Sequence, residues 1–260
     1  MKNLEYKNIK ISYSDYGSGT NIVLLHGFLE NQSMWDDTIT MLSNKHRIIT
    51  IDLLGHGKTG CIGYVHTMEE MANAVYAVLK HLKIRRYFLI GHSMGGYVAL
   101  AHAKLYTENI KGLCLLNSTY EADDEERKKI RTRANKMAQH NFENVVRMSF
   151  SNLFSEKSKG LYKVEFNKAL NEALKTPIQG YIAAQEGMKL REDYSVFFGD
   201  APFLKTIILG KKDGIINYKN ISQFTDKQNI KLHLLSEGHM GHIENKADYL
   251  SAIMHFVEKK

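Results

Sequence analysis

Six short apolar runs, at residues 22–25, 48–51, 87–90, 113–116, 207–209 and 232–235, constrain this chain more than any other feature. Runs of three or four apolar residues bounded by turns suit strands buried on both faces, as in a parallel sheet covered by helices. Helical pattern separates most of them: residues 68–82 put Met71, Val75, Val78, Leu79 and Leu82 on one face, and residues 247–257 close the chain similarly. Strand alternating with helix predicts an α/β domain with a mostly parallel sheet covered on both faces. Residues 5–13 alternate as one further strand, turned by Asp15-Tyr16-Gly17-Ser18-Gly19.

One segment breaks the rhythm. Residues 120–201 carry no buried-strand pattern, only helical pattern at 141–154, 161–174 and 178–190, with Pro177 placed to begin the last. Asp123-Asp124-Glu125-Glu126 ahead of Arg127-Lys128-Lys129 sets acids at a helix start, where the dipole favours them. Because the segment starts just beyond the 113–116 run, it predicts a helical cap over the strand ends. The expected organisation is a core at 1–119 and 202–260 with the cap at 120–201 inserted.

The chain has 260 residues, enough for one such domain without disulfide or metal support, and its two cysteines read as thiols. Residues 1–7 lack an apolar core of signal-peptide length and no stretch approaches a membrane span, so a cytoplasmic chain without membrane insertion is expected. The formal net charge is +7, but the lysines are scattered and no basic run is interleaved with aromatics, which argues against a nucleic-acid partner.

Between the 87–90 run and a small-residue helix lies Gly91-His92-Ser93-Met94-Gly95-Gly96. A Gly-x-Ser-x-Gly in that position presents a serine hydroxyl at the tip of a strained turn. Gly91 and Gly95 leave room for the backbone to fold back, and Gly96 and Ala99 let the helix lie close to the sheet. The serine needs a base, usually a histidine oriented by a carboxylate. Twelve histidines are available, so position must choose. Ligands gather at the carboxyl ends of parallel strands. His239, in Ser236-Glu237-Gly238-His239 after the last run, is placed there, and so is Asp213, in Gly210-Lys211-Lys212-Asp213-Gly214. His242 is a rival base; Glu121, Asp123 and Asp124 are rival acids. His239 and His242 also suggest a metal pair, but no third ligand stands out and no metal or other cofactor is expected.

These residues together resemble the α/β-hydrolase fold family, in its lidded, esterase-like branch. His26-Gly27-Phe28 resembles the family's oxyanion loop, and Asp52-Leu53-Leu54-Gly55-His56-Gly57-Lys58-Thr59 its Asp-x-Pro-Gly-His-Gly-x-Ser turn. Ser93, Asp213 and His239 match the nucleophile, acid and base positions in the family's order. Prolines common in the family are replaced by Leu54, Asn217 and Gly241, which removes no chemical group. The resemblance implies a catalytic Ser93–His239–Asp213 triad with the backbone amides of Phe28 and Met94 as oxyanion hole. Asp52 is expected to tie down its own turn, and His56 and His92 to shape loops without taking protons. The implied reaction is hydrolysis of a small or medium, largely apolar ester, thioester or lactone. A carbon–carbon bond hydrolase or a non-catalytic receptor of the same fold is the alternative. Phe28, Met94, Phe150, Leu153, Phe154, Tyr181 and Met188 suggest an apolar pocket. The partner is a small molecule, and the sequence does not separate monomer from dimer.

Overall fold

The six apolar runs each become a strand; the first five are buried, while the last lies at the sheet edge and leaves Leu234 38% exposed. The computed structural model describes residues 1–225, 228 and 230–259. Its strands are β1 (Lys2–Tyr6), β2 (Ile9–Tyr16), β3 (Thr20–Leu25), β4 (His46–Ile51), β5 (Tyr87–His92), β6 (Ile110–Leu116), β7 (Leu204–Gly210) and β8 (Lys231–Leu235). They form one 8-stranded sheet in the order β1-β2-β4-β3-β5-β6-β7-β8. From β4 to β8 every neighbouring pair is parallel; β2 runs antiparallel to both β1 and β4.

The amino-terminal region differs from the sequence expectation. Residues 5–13 are not one strand but two, joined by a hairpin whose turn residues Lys7 and Asn8 both take left-handed backbone (φ 46° and 66°). Such a two-residue turn matches strand twist, and its usual signal is Asn-Gly or Asp-Gly. Here only Asn8 carried it, so the alternation ran through the turn unbroken.

The helices are α1 (Asp36–Leu42), α2 (Met68–His81), α3 (Met94–Leu105), α4 (Glu125–Ala138), α5 (Phe142–Ser151), α6 (Glu156–Leu161), α7 (Lys163–Ala173), α8 (Ile178–Leu190), α9 (Ser195–Asp200), α10 (Tyr218–Thr225), α11 (Gly241–Glu244) and α12 (Lys246–Val257). On one face of the sheet, Met71, Val75 and Val78 of α2 and Val98 and Leu100 of α3 pack against Val23, Leu25, Leu89 and Leu113. On the other, Leu42 of α1 and Ile253 and Phe256 of α12 cover Ile22, Leu24, Ile90 and Leu116. Each such side chain contributes about 1.5–3 kcal/mol on full burial. Helix α2 begins with Thr67 and Glu70 capping each other's backbone amides, and Asp124 caps α4 through Arg127 N at 2.7 Å. No described helix is long and apolar enough to cross a membrane.

The position of the site follows from strand order. β3 lies between β4 and β5, so the chain leaves β3 toward one side and β5 returns on the other. The loops beyond the carboxyl ends of such strands diverge and leave a crevice. Helices α4–α9 are inserted between β6 and β7, and Val146, Phe150, Phe154, Leu170 and Tyr181 among them share an apolar cluster with Leu29 and Met240 of the loops after β3 and β8.

Helix α8 is pressed onto the loop after β4. A Cβ at Gly187 would run into the carbonyl of His66, and one at Gly180 into that of Gly55, while His66 N donates to Ala183 O at 2.9 Å. The Gly187→Ala substitution is therefore expected to destabilise the protein by about 1–3 kcal/mol through overpacking, against a helix-propensity gain of about 1 kcal/mol. Urea unfolding with an unchanged m-value measures it; an unfolding midpoint at or above wild type would mean that α8 stands off the loop.

Candidate active site

Ser93 stands between β5 and α3 with φ 49° and ψ −117°, a conformation that L residues rarely hold. Gly91 and Gly95 permit it: a Cβ on Gly91 would collide with the Gly95 carbonyl, and one on Gly95 with that of Leu25. The turn is also pinned from β6, because Ser93 N donates to Leu116 O at 2.9 Å and Ser118 Oγ to Ser93 O at 2.8 Å. The hydroxyl is thereby carried to the carboxyl edge of the sheet, at the start of α3.

The ends of β7 and β8 bring its partners. His239 Nε2 lies 3.0 Å from Ser93 Oγ, and His239 Nδ1 lies 2.8 Å from Asp213 Oδ2. Asp213 Oδ1 accepts from the amides of Ile215 and Ile216 at 2.8 and 3.1 Å, and Oδ2 also accepts from Asn117 Nδ2 at 3.0 Å. Burial alone would raise the Asp213 carboxyl, but the His239 ring and these donors hold it below its usual range. A carboxylate so held keeps Nδ1 protonated and leaves Nε2 free to take a proton from the serine.

Asn117, with φ 42° just past β6, also donates to Gly238 O at 3.2 Å. It ties the acid loop to the histidine loop. Its only sequence signal was a polar residue directly after an apolar run.

The loop after β3 completes the site. His26 Nε2 accepts from Leu53 N at 2.9 Å while its Nδ1 lies 2.8 Å from Gly27 O, so it welds this loop to the one after β4; burial holds its pKa down. His56 is held down to about 3, by burial first and then by the nearby His26. Asp52 accepts from Lys58 N in its own turn and from Gln32 N, both at 2.9 Å. Phe28 is half-buried, its ring 5.0 Å from that of Tyr181 and 5.7 Å from that of His56, and Met94 is the first residue of α3.

The rival candidates are engaged elsewhere. Asp123 pairs with Arg131 at 2.5 Å and Arg191 at 2.6 Å, Asp124 caps α4, and Glu121 accepts from Thr119 Oγ1 at 3.2 Å. His242, its side chain 11% exposed, lies beside Glu30, 3.9 Å from its Oε1, and desolvation of its ring lowers its pKa to about 4. Glu30, His92 and His242 form the one group among the described residues with three ligand atoms within 4.8 Å of each other. Yet His92 Nδ1 and Glu30 Oε2 are 2.7 Å apart. Two ligands of one zinc ion, each bonded at 2.0–2.1 Å, keep about 3.3 Å between them, so this contact is a hydrogen bond.

Of the expected pocket residues, Phe150 and Phe154 pack with each other and with Phe166 inside the insertion, and Met188 joins the core over the sheet. A cleft of about 550 Å³ runs between α7 and the segments around Leu29–Asp37 and His242–Asp248, reaching Glu30 and His242 but not lined by Ser93.

A family profile described as alpha/beta hydrolase fold matches residues 20–246. A dihydrolipoyllysine-residue acetyltransferase component of an acetoin cleaving system from Pseudomonas putida is 27% identical over 251 residues, 93% of this chain and 64% of that protein. The chain thus spans just under two thirds of that relative's length. A 2-hydroxy-6-oxo-6-(2'-aminophenyl)hexa-2,4-dienoic acid hydrolase from Metapseudomonas resinovorans is 22% identical over 268 residues, covering 97% of this chain and 89% of that one. Among solved structures, a thermophilic esterase from Thermogutta terrifontis superposes with a TM-score of 0.91 at 26% identity, over 96% of this chain and 93% of its own.

The Asp213 environment makes stability depend on pH. A carboxyl held below its ordinary 3.8 in the folded state contributes stability above that value and loses it as pH falls through the folded-state value. The difference in urea midpoint between wild type and Asp213→Asn is therefore expected to be constant at neutral pH and to shrink below about pH 4. A difference that grows on acidification would contradict this assignment.

Proposed function

This chain belongs to the α/β-hydrolase fold family, and we propose that it is a serine hydrolase cleaving a carboxylic ester, or a related thioester or lactone. The observation that carries this reading is the unbroken chain from Ser93 Oγ through the His239 ring to an Asp213 carboxylate held ionised. The near-full-length likeness to an esterase supports it.

Ser93 Oγ attacks the carbonyl carbon as His239 Nε2 takes its proton, and Asp213 Oδ2 holds the Nδ1–H and balances the imidazolium charge. The oxyanion forms between the amides of Met94, at the start of α3, and Phe28, in the loop after β3. As the tetrahedral adduct collapses, His239 returns the proton to the leaving oxygen or sulfur. Water, deprotonated by the same ring, then releases the acid and regenerates Ser93. The acyl chain faces Phe28 and Tyr181, which favours a small or medium apolar group. Residues 120–201 act as the cap, and a lone chain with a small-molecule partner and no cofactor suffices for these steps.

A carbon–carbon bond hydrolase on the same three residues is the second reading, supported by the likeness to the Metapseudomonas resinovorans hydrolase.

Labelling with a fluorophosphonate beside p-nitrophenyl esters of rising acyl length tests both. Wild type is expected to label stoichiometrically and to show an ester burst. Ser93→Ala should show neither, and Asp213→Asn should turn over on the order of 10⁴-fold more slowly. Labelling without ester turnover, but with cleavage of a 2-hydroxy-6-oxo-2,4-dienoate, would favour the second reading. A folded wild type that does not label would make the protein a binding member of the fold.

A further inference from the structure

Glu30 and His92 take no part in the proton path from Ser93 to Asp213, yet they lie directly beneath it. The Glu30 side chain is 6% exposed and that of His92 1%. A single carboxylate oxygen, Glu30 Oε2, receives both Gly27 N and His92 Nδ1 at 2.7 Å. The other ring nitrogen, His92 Nε2, lies 3.1 Å from the carbonyl oxygen of His239. Both ring nitrogens thus face acceptor oxygens, and the negative charge of an ionised Glu30 carboxylate beside the ring favours a proton on both.

We propose that Glu30 is a positioning residue for the reaction, an ionised carboxylate that clamps the oxyanion loop to the nucleophile elbow and, through a doubly protonated His92, to the loop bearing His239. The proposal rests on the serine-hydrolase reading above. Each of the three elements clamped carries a group that the reaction needs: Phe28 follows Gly27, Ser93 follows His92, and His239 holds its ring by its own backbone.

The clamp also explains how the oxyanion loop keeps its shape. Residues 27–30 form a tight turn closed by Glu30 N to Gly27 O at 3.2 Å, and Leu29 within it has φ 63°, a left-handed backbone that favours glycine. The return bond from Gly27 N to Glu30 Oε2 closes the turn a second time and offsets that strain. The charges agree with the geometry. Burial alone would raise Glu30, but His92 draws it down to about 2, and Glu30 raises His92 against the effect of burial. A buried ion pair of this kind gives little net stability, while loss of one partner strands the other. Fixing the geometry is the role left to it.

Glu30 Oε1 has no hydrogen-bond partner. Glutamine can keep its oxygen on Gly27 N and place its amide nitrogen at the Oε1 position, 3.9 Å from His242 Nε2, so Glu30→Gln removes the charge at nearly constant shape. In ¹⁵N-histidine-labelled wild type, the His92 ring, assigned by its loss in His92→Asn, is expected to show both nitrogens protonated at neutral pH. In Glu30→Gln one of them is expected to lose its proton. The kcat for p-nitrophenyl esters and the fluorophosphonate labelling rate are expected to fall about 10- to 100-fold, as for a misplacement of about 1 Å, with KM within about twofold. His92→Asn should act similarly, and the double variant no worse than the weaker single one.

A singly protonated His92 in wild type would overturn the proposal. So would wild-type kcat in Glu30→Gln, or losses that multiply in the double variant. Wild type that fails to label would overturn the serine-hydrolase reading itself, a result separable from a labelled wild type with an indifferent Glu30→Gln.

Discussion

The left-handed backbone at Ser93 is the constraint around which the rest of the structure is arranged. Such a conformation costs of the order of 1–3 kcal/mol and persists only where its surroundings leave no alternative. Here backbone approaches too closely for any side chain at Gly91, which faces the Gly95 carbonyl at the start of α3, or at Gly95, which faces the Leu25 carbonyl at the end of β3. Helix α3 must start at Met94, because most of its residues are buried between the sheet and α2. With strand and helix both fixed, the residue joining them has one conformation left, and it projects the hydroxyl outward.

The same sheet geometry gathers everything else. Loops after β3, β5, β6, β7 and β8 supply Phe28, Ser93, Asn117, Asp213 and His239 in turn. Parallel strands end at one edge, so five loops far apart in the chain share one surface without any sequence-local contact. What holds them in register is polar. Asn117 joins the Asp213 and His239 loops, His26 joins the loops after β3 and β4, and Glu30 with His92 joins the oxyanion loop, the elbow and the histidine loop. A hydrogen bond between buried groups is costly to leave unmade, so these links resist rearrangement of the loops.

Much of this was legible in the chain because periodicity and strand ends are local signals. The apolar runs marked the core strands, the pattern at 178–190 matched α8, and the placement of Asp213 and His239 after runs was enough to set them beside Ser93. The hairpin at Lys7–Asn8 was not legible, since its turn lacks the glycine that announces such turns. Glu30 and Asn117 were not legible either. A buried glutamate and a solvated one have the same letter, and what distinguishes Glu30 is a histidine 62 positions away. The aromatic residues of the insertion were ambiguous for the same reason: Phe150 and Phe154 pack on each other and on Phe166, while Tyr181 reaches Phe28 across elements.

By itself, then, the sequence determined the class of fold, the sheet with its inserted helices and the identity of three residues at strand ends, because hydrophobic burial and backbone sterics act over short stretches of chain. The tertiary structure alone decided which acids were already paired, with Asp123 held by Arg131 and Arg191. It also decided how the loops are locked together. Hydrogen bonds and buried charges take their meaning from partners that only folding brings within 3 Å or so, and no spacing along the chain encodes that distance.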